Sequence, residues 1–299
     1  MIVASALGPS RHVRKFLRLV VIEHSVFALP FAYLSALTAM FDVNHRVDWP
    51  KLALITIAMV SARTFAMATN RIIDREIDAR NPRTANRELV TGEVSVRSAW
   101  GGSAMALAVF LIAAGLLTPL ALALAPAAAA VLVVYPYAKR FTWAPHAFLG
   151  LAQAVGPIGA WIAVTNSLTW AAAMLGIAVG CWIGGFDLIY SCQDIDSDRR
   201  QGVQSLPARF GVFVALVTAR FAHVLTMGLF AAFGALEGFG LLWWLGLAGT
   251  ALAFVYEHAL VRPSDLSKVN RAFFTVNGFV GIWLFLWAFA DLALRGLRP

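Results

Sequence analysis

Two short stretches carry side chains whose types and spacing fit one kind of chemistry. In the first, Asn70, Asp74 and Asp78 recur every four residues within a segment, Asn70–Glu88, that holds nine charged side chains in nineteen residues. In the second, Asp187, Tyr190, Asp194 and Asp198 recur at steps of three and four. A step of four advances only about 40° around a helix, so each set projects from one helical face. Carboxylates at five of these seven positions, with neither His nor Cys among them, favour a hard divalent cation over zinc or copper. Magnesium fits, because it keeps several waters and is commonly held by a few carboxylates together with substrate phosphates. Two such faces could hold about two Mg²⁺ ions bridging a diphosphate. Arg63, Arg71, Lys139 and Arg140 could take the remaining negative charge.

The elements that must place these acids are membrane helices. The 299 residues are 60% hydrophobic and only 13% charged, with a mean hydropathy of +0.74. Continuous apolar runs recur near the ~20 residues that cross a bilayer, and continuity favours helices over a barrel, whose strands would alternate. The runs predict nine spans, at about 19–40, 51–70, 98–116, 118–135, 146–165, 168–190, 212–232, 236–258 and 271–293. The fold class is therefore an all-α membrane protein, expected as one integral-membrane domain over 1–299. The basic N-terminal "RHVRKFLRL" leads into a run too long for a signal peptide, so it is read as the first span. Cys181 and Cys192 suggest neither a disulfide framework nor a metal pair.

With the N-terminus cytoplasmic, 18 of the 24 Lys and Arg residues fall on that side, which sets the orientation. Both acidic stretches then end spans that run from outside to inside, so they can face each other at one membrane depth. The net charge of +8 reflects topology and anion attraction, with no need of nucleic acid. No protein partner is evident. A single D-x-x-x-D at a helix end is commonly a solvated salt-bridge site of little consequence. Two copies on one side of the membrane change that balance. Arg63 adds weight, since a cation within a span is costly unless it faces a cavity, and its spacing of seven places it on the Asn70 face.

Taken together, these residues resemble the UbiA-type intramembrane aromatic prenyltransferases. The first stretch is similar to the family's N-x-x-x-D-x-x-x-D, continued here by "RTANRELVTGEVS". The second is similar to D-x-x-Y-x-x-x-D-x-x-x-D, followed by "GVQSLPARFG", and "YPYAKRF" matches a Y-P-x-x-K-R segment between them. The resemblance covers about Arg63 to Gly211. One departure is Arg71, where many members carry Asp. The wording "NRIIDREIDARNPRT" resembles a 4-hydroxybenzoate polyprenyltransferase branch, parts of which are tied to menaquinone made by the futalosine route.

The resemblance implies a UbiA-type bundle whose central cavity opens to the cytoplasmic side. It implies Mg²⁺ as cofactor on Asn70, Asp74, Asp78, Asp194 and Asp198, with the four aspartates as the catalytic set. Arg63, Asn70, Lys139, Arg140, Arg83, Arg87, Asp187 and Tyr190 would bind the diphosphate or the second substrate, with Arg83 and Arg87 closing over it. The substrates would be a polyprenyl diphosphate, its tail in the bilayer or a lateral groove, and a hydroxylated aromatic acid such as 4-hydroxybenzoate. Products would enter ubiquinone or menaquinone synthesis; the alternative acceptor is a hydroxynaphthoate. A multi-span transporter is the rival of another class, disfavoured by acids gathered at one face and by the lack of an inverted repeat. A bacterial plasma membrane is the expected location. Glu23 and His24, a possible proton acceptor, read more simply as a polar pair at a helix end.

Overall fold

The computed structural model describes residues 15–16, 18–20 and 25–299; Glu23 and His24 lie outside them. Long helices follow one another with short connections: α1 (Ser25–Asn44), α2 (Trp49–Ile73), the short α3 (Arg75–Arg80), α4 (Val96–Leu117) and α5 (Pro119–Val134). A 3₁₀ turn (Tyr135–Tyr137) leads to α6 (Ala138–Phe141), α7 (Pro145–Thr165) and α8 (Trp170–Ser191). The short α9 (Ile195–Gln201), then α10 (Leu206–Leu236), α11 (Leu241–Leu260), a π-helical turn (Arg271–Val276) and α12 (Asn277–Leu294) complete the chain. Among the described residues, the β contacts are the two isolated bridges Arg46–Arg298 and Arg262–Asp265. Among the described residues, seven helices are long and apolar enough to cross a membrane. The helices at Ser25–Asn44 and Leu241–Leu260 are not among the seven.

Polar caps explain where several helices begin. Asp48, Ser95, Thr118, Thr169 and Ser205 each accept a backbone N–H in the first turn of the helix that follows, satisfying donors that the helix itself cannot. Helix α8 is the centre of the bundle: 14 of its 22 residues are buried, as expected of a helix apolar all round. It meets α7 so closely that a Cβ on Gly150 would lie 2.5 Å from the Gly180 carbonyl oxygen. Small residues therefore bring two of the site-bearing helices together. Phe31, Trp182, Phe230, Phe233 and Trp243 fill the adjoining core.

The structure departs from the sequence expectation in places that matter. The set Asn70, Asp74, Asp78 does not lie on one unbroken helix: α2 stops at Ile73, and Asp74 takes φ −93°, ψ 4° before α3 begins. The expected span 236–258 instead begins at Leu241, because a turn at Gly238 (φ 62°) separates it from α10. Gly211, at φ 85°, breaks α10 near the expected start at 212, and this left-handed value suits a residue without a Cβ. The ninth expected span opens with the π turn, a feature frequent at functional sites. Asn277 holds that turn, donating to the Ala272 carbonyl at 3.0 Å and to Glu257 at 2.6 Å while accepting from Trp182 Nε1 at 2.7 Å.

Candidate functional site

The two acidic motifs occupy matching junctions. Asp74 links α2 to α3, and Asp194 (φ −98°, ψ 0°) links the 3₁₀ turn after α8 to α9. Both residues sit in the sparsely populated bridge region of backbone conformation, where active-site residues are often found. Asp78 and Asp198 then project from the short helices one turn further on. Asn70, Asp74, Asp78, Asp187, Tyr190, Asp194 and Asp198 all line one pocket of about 380 Å³, together with Arg63, Arg83, Arg87 and Lys139. Arg140 is the exception among the expected site residues. It stands behind Asp74, donating to Asp74 Oδ1 at 3.1 Å and to the carbonyls of Pro136 and Ile73.

Burying a carboxylate is costly unless it is paired, and each of these is provided for. Asp74 is 1% exposed and accepts Lys139 Nζ on Oδ2 at 2.6 Å, opposite Arg140. Asp78 accepts Arg87 Nη1 at 2.5 Å. Asp194 takes a two-pronged contact from Arg83, Nε to Oδ1 at 3.0 Å and Nη2 to Oδ2 at 2.6 Å, and a third bond from Asn81 Nδ2 at 3.1 Å. Such forked pairs are the stronger kind of charged hydrogen bond. Burial alone would lower the Arg83 guanidinium, but its bonds to Asp194 and the charge there outweigh burial and raise it. The same guanidinium lies 5.2 Å from the Tyr190 ring centroid. Asp198 accepts the Ser205 hydroxyl at 2.8 Å.

Arg83 and Arg87 come from the segment that follows α3, so this segment ties the first motif to the second across more than 100 residues of chain. Arg63 and Tyr135 line both the polar pocket and a second, apolar cavity of about 320 Å³ walled by α2, α4, α5 and α7. Met67 and Gln153 are likewise shared. The two spaces therefore adjoin: an acidic and basic chamber at one end of the bundle, and a greasy one leading along it.

Among the described residues, no three His, Cys, Asp or Glu side chains come close enough to form a ready-made metal cage. The oxygen-only donors on two facing junctions fit magnesium shared with phosphate oxygens, the mode in which the ion keeps water and substrate ligands.

Several wall residues were not anticipated from sequence. Asn81 and Ser205 hold Asp194 and Asp198. His146 is buried, with Nδ1 2.7 Å from Asp187 Oδ2. Phe273 and Phe274, from the π turn, complete the wall, with Phe273 4.1 Å from Tyr190 between ring centroids. Asn81 lies inside the Asn70–Glu88 segment and His146 at the start of the expected span 146–165, so their polar character there was the available signal.

A bundle with these features defines an intramembrane enzyme class, and the comparisons agree. The UbiA prenyltransferase family matches residues 28–289. The chain belongs to that family and is an integral-membrane prenyltransferase. It is 30% identical over 282 residues to a 4-hydroxybenzoate octaprenyltransferase of Paraburkholderia phytofirmans, covering 93% of this chain and 96% of that one. It is 32% identical over 273 residues to its counterpart in Paraburkholderia xenovorans, covering 90% and 93%. A UbiA homolog from Aeropyrum pernix K1 shares the fold at a TM-score of 0.81 and 35% identity, covering 91% of this chain and 98% of that one. A UbiA homolog from Archaeoglobus fulgidus, solved bound to GPP and Mg²⁺, matches at 0.72 and 20%, covering 93% and 99%. The transporter alternative gives way to family membership.

Proposed function

We propose that this protein transfers a polyprenyl group from a polyprenyl diphosphate to the ring of a hydroxylated aromatic acid of the 4-hydroxybenzoate type, with Mg²⁺. One observation carries the reading: a pocket with both aspartate motifs and five bases (Arg63, Arg71, Arg83, Arg87 and Lys139) opens directly onto an apolar cavity. That is the shape of a substrate with a diphosphate head and a hydrocarbon tail. GPP and Mg²⁺ occupy the Archaeoglobus fulgidus homolog, which shares the fold; for this chain the reading rests on its own residues.

Asn70, Asp74, Asp78, Asp194 and Asp198 would hold the magnesium, which supplies Lewis-acid charge to the departing diphosphate. Lys139, Arg83 and Arg87 stand on these carboxylates within reach of phosphate oxygens and stabilise the charge that develops as the allylic C–O bond breaks. Arg140 holds Asp74 in place. Arg63, where the two chambers meet, holds an anionic group there. The rings of Tyr190 and Phe273 shield the allylic cation and stabilise it by their π-faces, an effect worth about 2 kcal/mol when desolvated. The apolar cavity excludes water, which would otherwise capture the cation. We place the pocket on the cytoplasmic side of a bacterial plasma membrane, from the distribution of Lys and Arg, and count nine spans by adding Ser25–Asn44 and Leu241–Leu260 to the seven. Ubiquinone or menaquinone synthesis would consume the product.

The test uses purified protein, a polyprenyl diphosphate and a panel of aromatic acids that includes 4-hydroxybenzoate and a hydroxynaphthoate. C-prenylated acid that forms with Mg²⁺ and stops with EDTA supports the reading. Wild-type protein that makes no prenylated acid from any member of the panel overturns it.

A further inference from the structure

Among the described residues, seven buried side-chain N or O atoms have no hydrogen-bond partner, and two of them belong to walls of the polar pocket: Arg63 Nε and His146 Nε2. Unpaired buried polar atoms are rare and call for a partner that the folded chain does not supply. His146 opens α7, and Leu149 and Gln153 follow at helical spacing along the same pocket wall. Its other nitrogen, Nδ1, lies 2.7 Å from Asp187 Oδ2 on α8. A carboxylate accepts a hydrogen bond, so Nδ1 carries a proton and Nε2 is the ring atom left facing the pocket, with a lone pair whenever the imidazole is neutral. Asp187 thus fixes both the orientation and the tautomer of His146, as the carboxylate of a catalytic triad does for its histidine.

A lone pair in this pocket suits neither a phosphate oxygen nor a metal-bound carboxylate. It suits the hydroxyl hydrogen of the aromatic acceptor. We propose that His146, held by Asp187, is the general base that receives the acceptor's phenolic proton; this rests on the prenyl-transfer reading above. As the allylic C–O bond breaks, its electron pair leaves with the diphosphate oxygen. The allylic carbon takes a pair from the ring carbon beside the hydroxyl, and the O–H proton passes to Nε2. The substituted ring carbon then gives its own hydrogen, as a proton, to the released diphosphate. Nε2 returns its proton to the ring oxygen, and ring and imidazole both end as they began, neutral and aromatic. Deprotonation enriches the ring carbon in electrons only while the bond forms, which is where a base accelerates the reaction.

The experiment compares wild type with H146F, which keeps a ring but no base, with H146Q, and with D187N. The acceptors are 4-hydroxybenzoate, 3-fluoro-4-hydroxybenzoate and 4-methoxybenzoate, with geranyl diphosphate as donor. Loss of a general base costs about 100-fold or more in rate. H146F is therefore expected to lose about 100-fold in kcat/KM for 4-hydroxybenzoate, with the KM for geranyl diphosphate unchanged. The deficit should shrink with the more acidic fluorinated phenol and vanish with the methoxy acid, which has no proton to give. D187N should show the same pattern in weaker form. H146Q, which can accept a hydrogen bond but not keep the proton, should recover acceptor KM more than kcat. Equal deficits on all three acceptors, a raised KM for geranyl diphosphate, or wild-type rates in H146F each overturn the assignment. Because wild type must turn over 4-hydroxybenzoate for the comparison to run, failure of the base and failure of the prenyl-transfer reading give different results.

Discussion

The two acidic motifs are built alike yet housed differently. Each begins at an aspartate in the bridge region and continues on a short helix one turn later. At the first, Asp74 has a side chain only 1% exposed and is held by Lys139 and Arg140, while Asp78 has Arg87. At the second, the Asp194 side chain is 14% exposed and has one guanidinium and one amide, while Asp198 has a hydroxyl. Three bases thus serve the first pair and one the second. The first motif is consequently part of the packed framework as well as the chemistry, because removing a partner from a buried ion pair costs about 3–5 kcal/mol. The second keeps more of its oxygen surface toward the pocket.

That contrast can be broken or sharpened by substitution. The largest effect is expected for Asp74→Ala and Asp194→Ala, each lowering turnover at least about 100-fold while the protein remains inserted. Melting in detergent should separate them, with Asp74→Ala lowering Tm more because it strands Lys139 and Arg140. Equal Tm values would erase the difference in housing. Next, Lys139→Met and Arg83→Met each remove one charged contact worth about 1.5–3 kcal/mol, so the KM for the polyprenyl diphosphate should rise about 10-fold or more. The smallest effect is expected at Ser205→Ala. A neutral hydrogen bond is worth about 1 kcal/mol, so kcat should fall by no more than about fivefold. A larger loss would mean that Ser205 does more than hold Asp198.

What the sequence revealed and what it concealed also divide along this contrast. The spacing of the acids was readable because it is a matter of residue type and helical period, and both motifs do line one pocket. The break at Asp74 was not, since a single residue in the bridge region leaves no mark on hydropathy or period. Helix ends were legible where a polar cap marked them, as at Thr169, and missed where apolar residues ran through a turn, as around Gly238. The π turn that brings Phe273 and Phe274 to the wall depends on Asn277 meeting Glu257 and Trp182 across three helices, a coincidence of distant residues. His146 stands at the head of an apolar stretch with no motif to mark it. Only its pairing with Asp187, 41 residues away, gives it meaning.

The central claim is that both motifs together hold one metal–diphosphate unit. Substituting Mn²⁺ for Mg²⁺ and following its binding by electron paramagnetic resonance, with geranyl diphosphate present, tests this on wild type, Asp74→Asn and Asp194→Asn. Loss of diphosphate-dependent Mn²⁺ binding in each single variant is the predicted result. Wild-type Mn²⁺ affinity in either one would place the metal away from that motif and contradict the account.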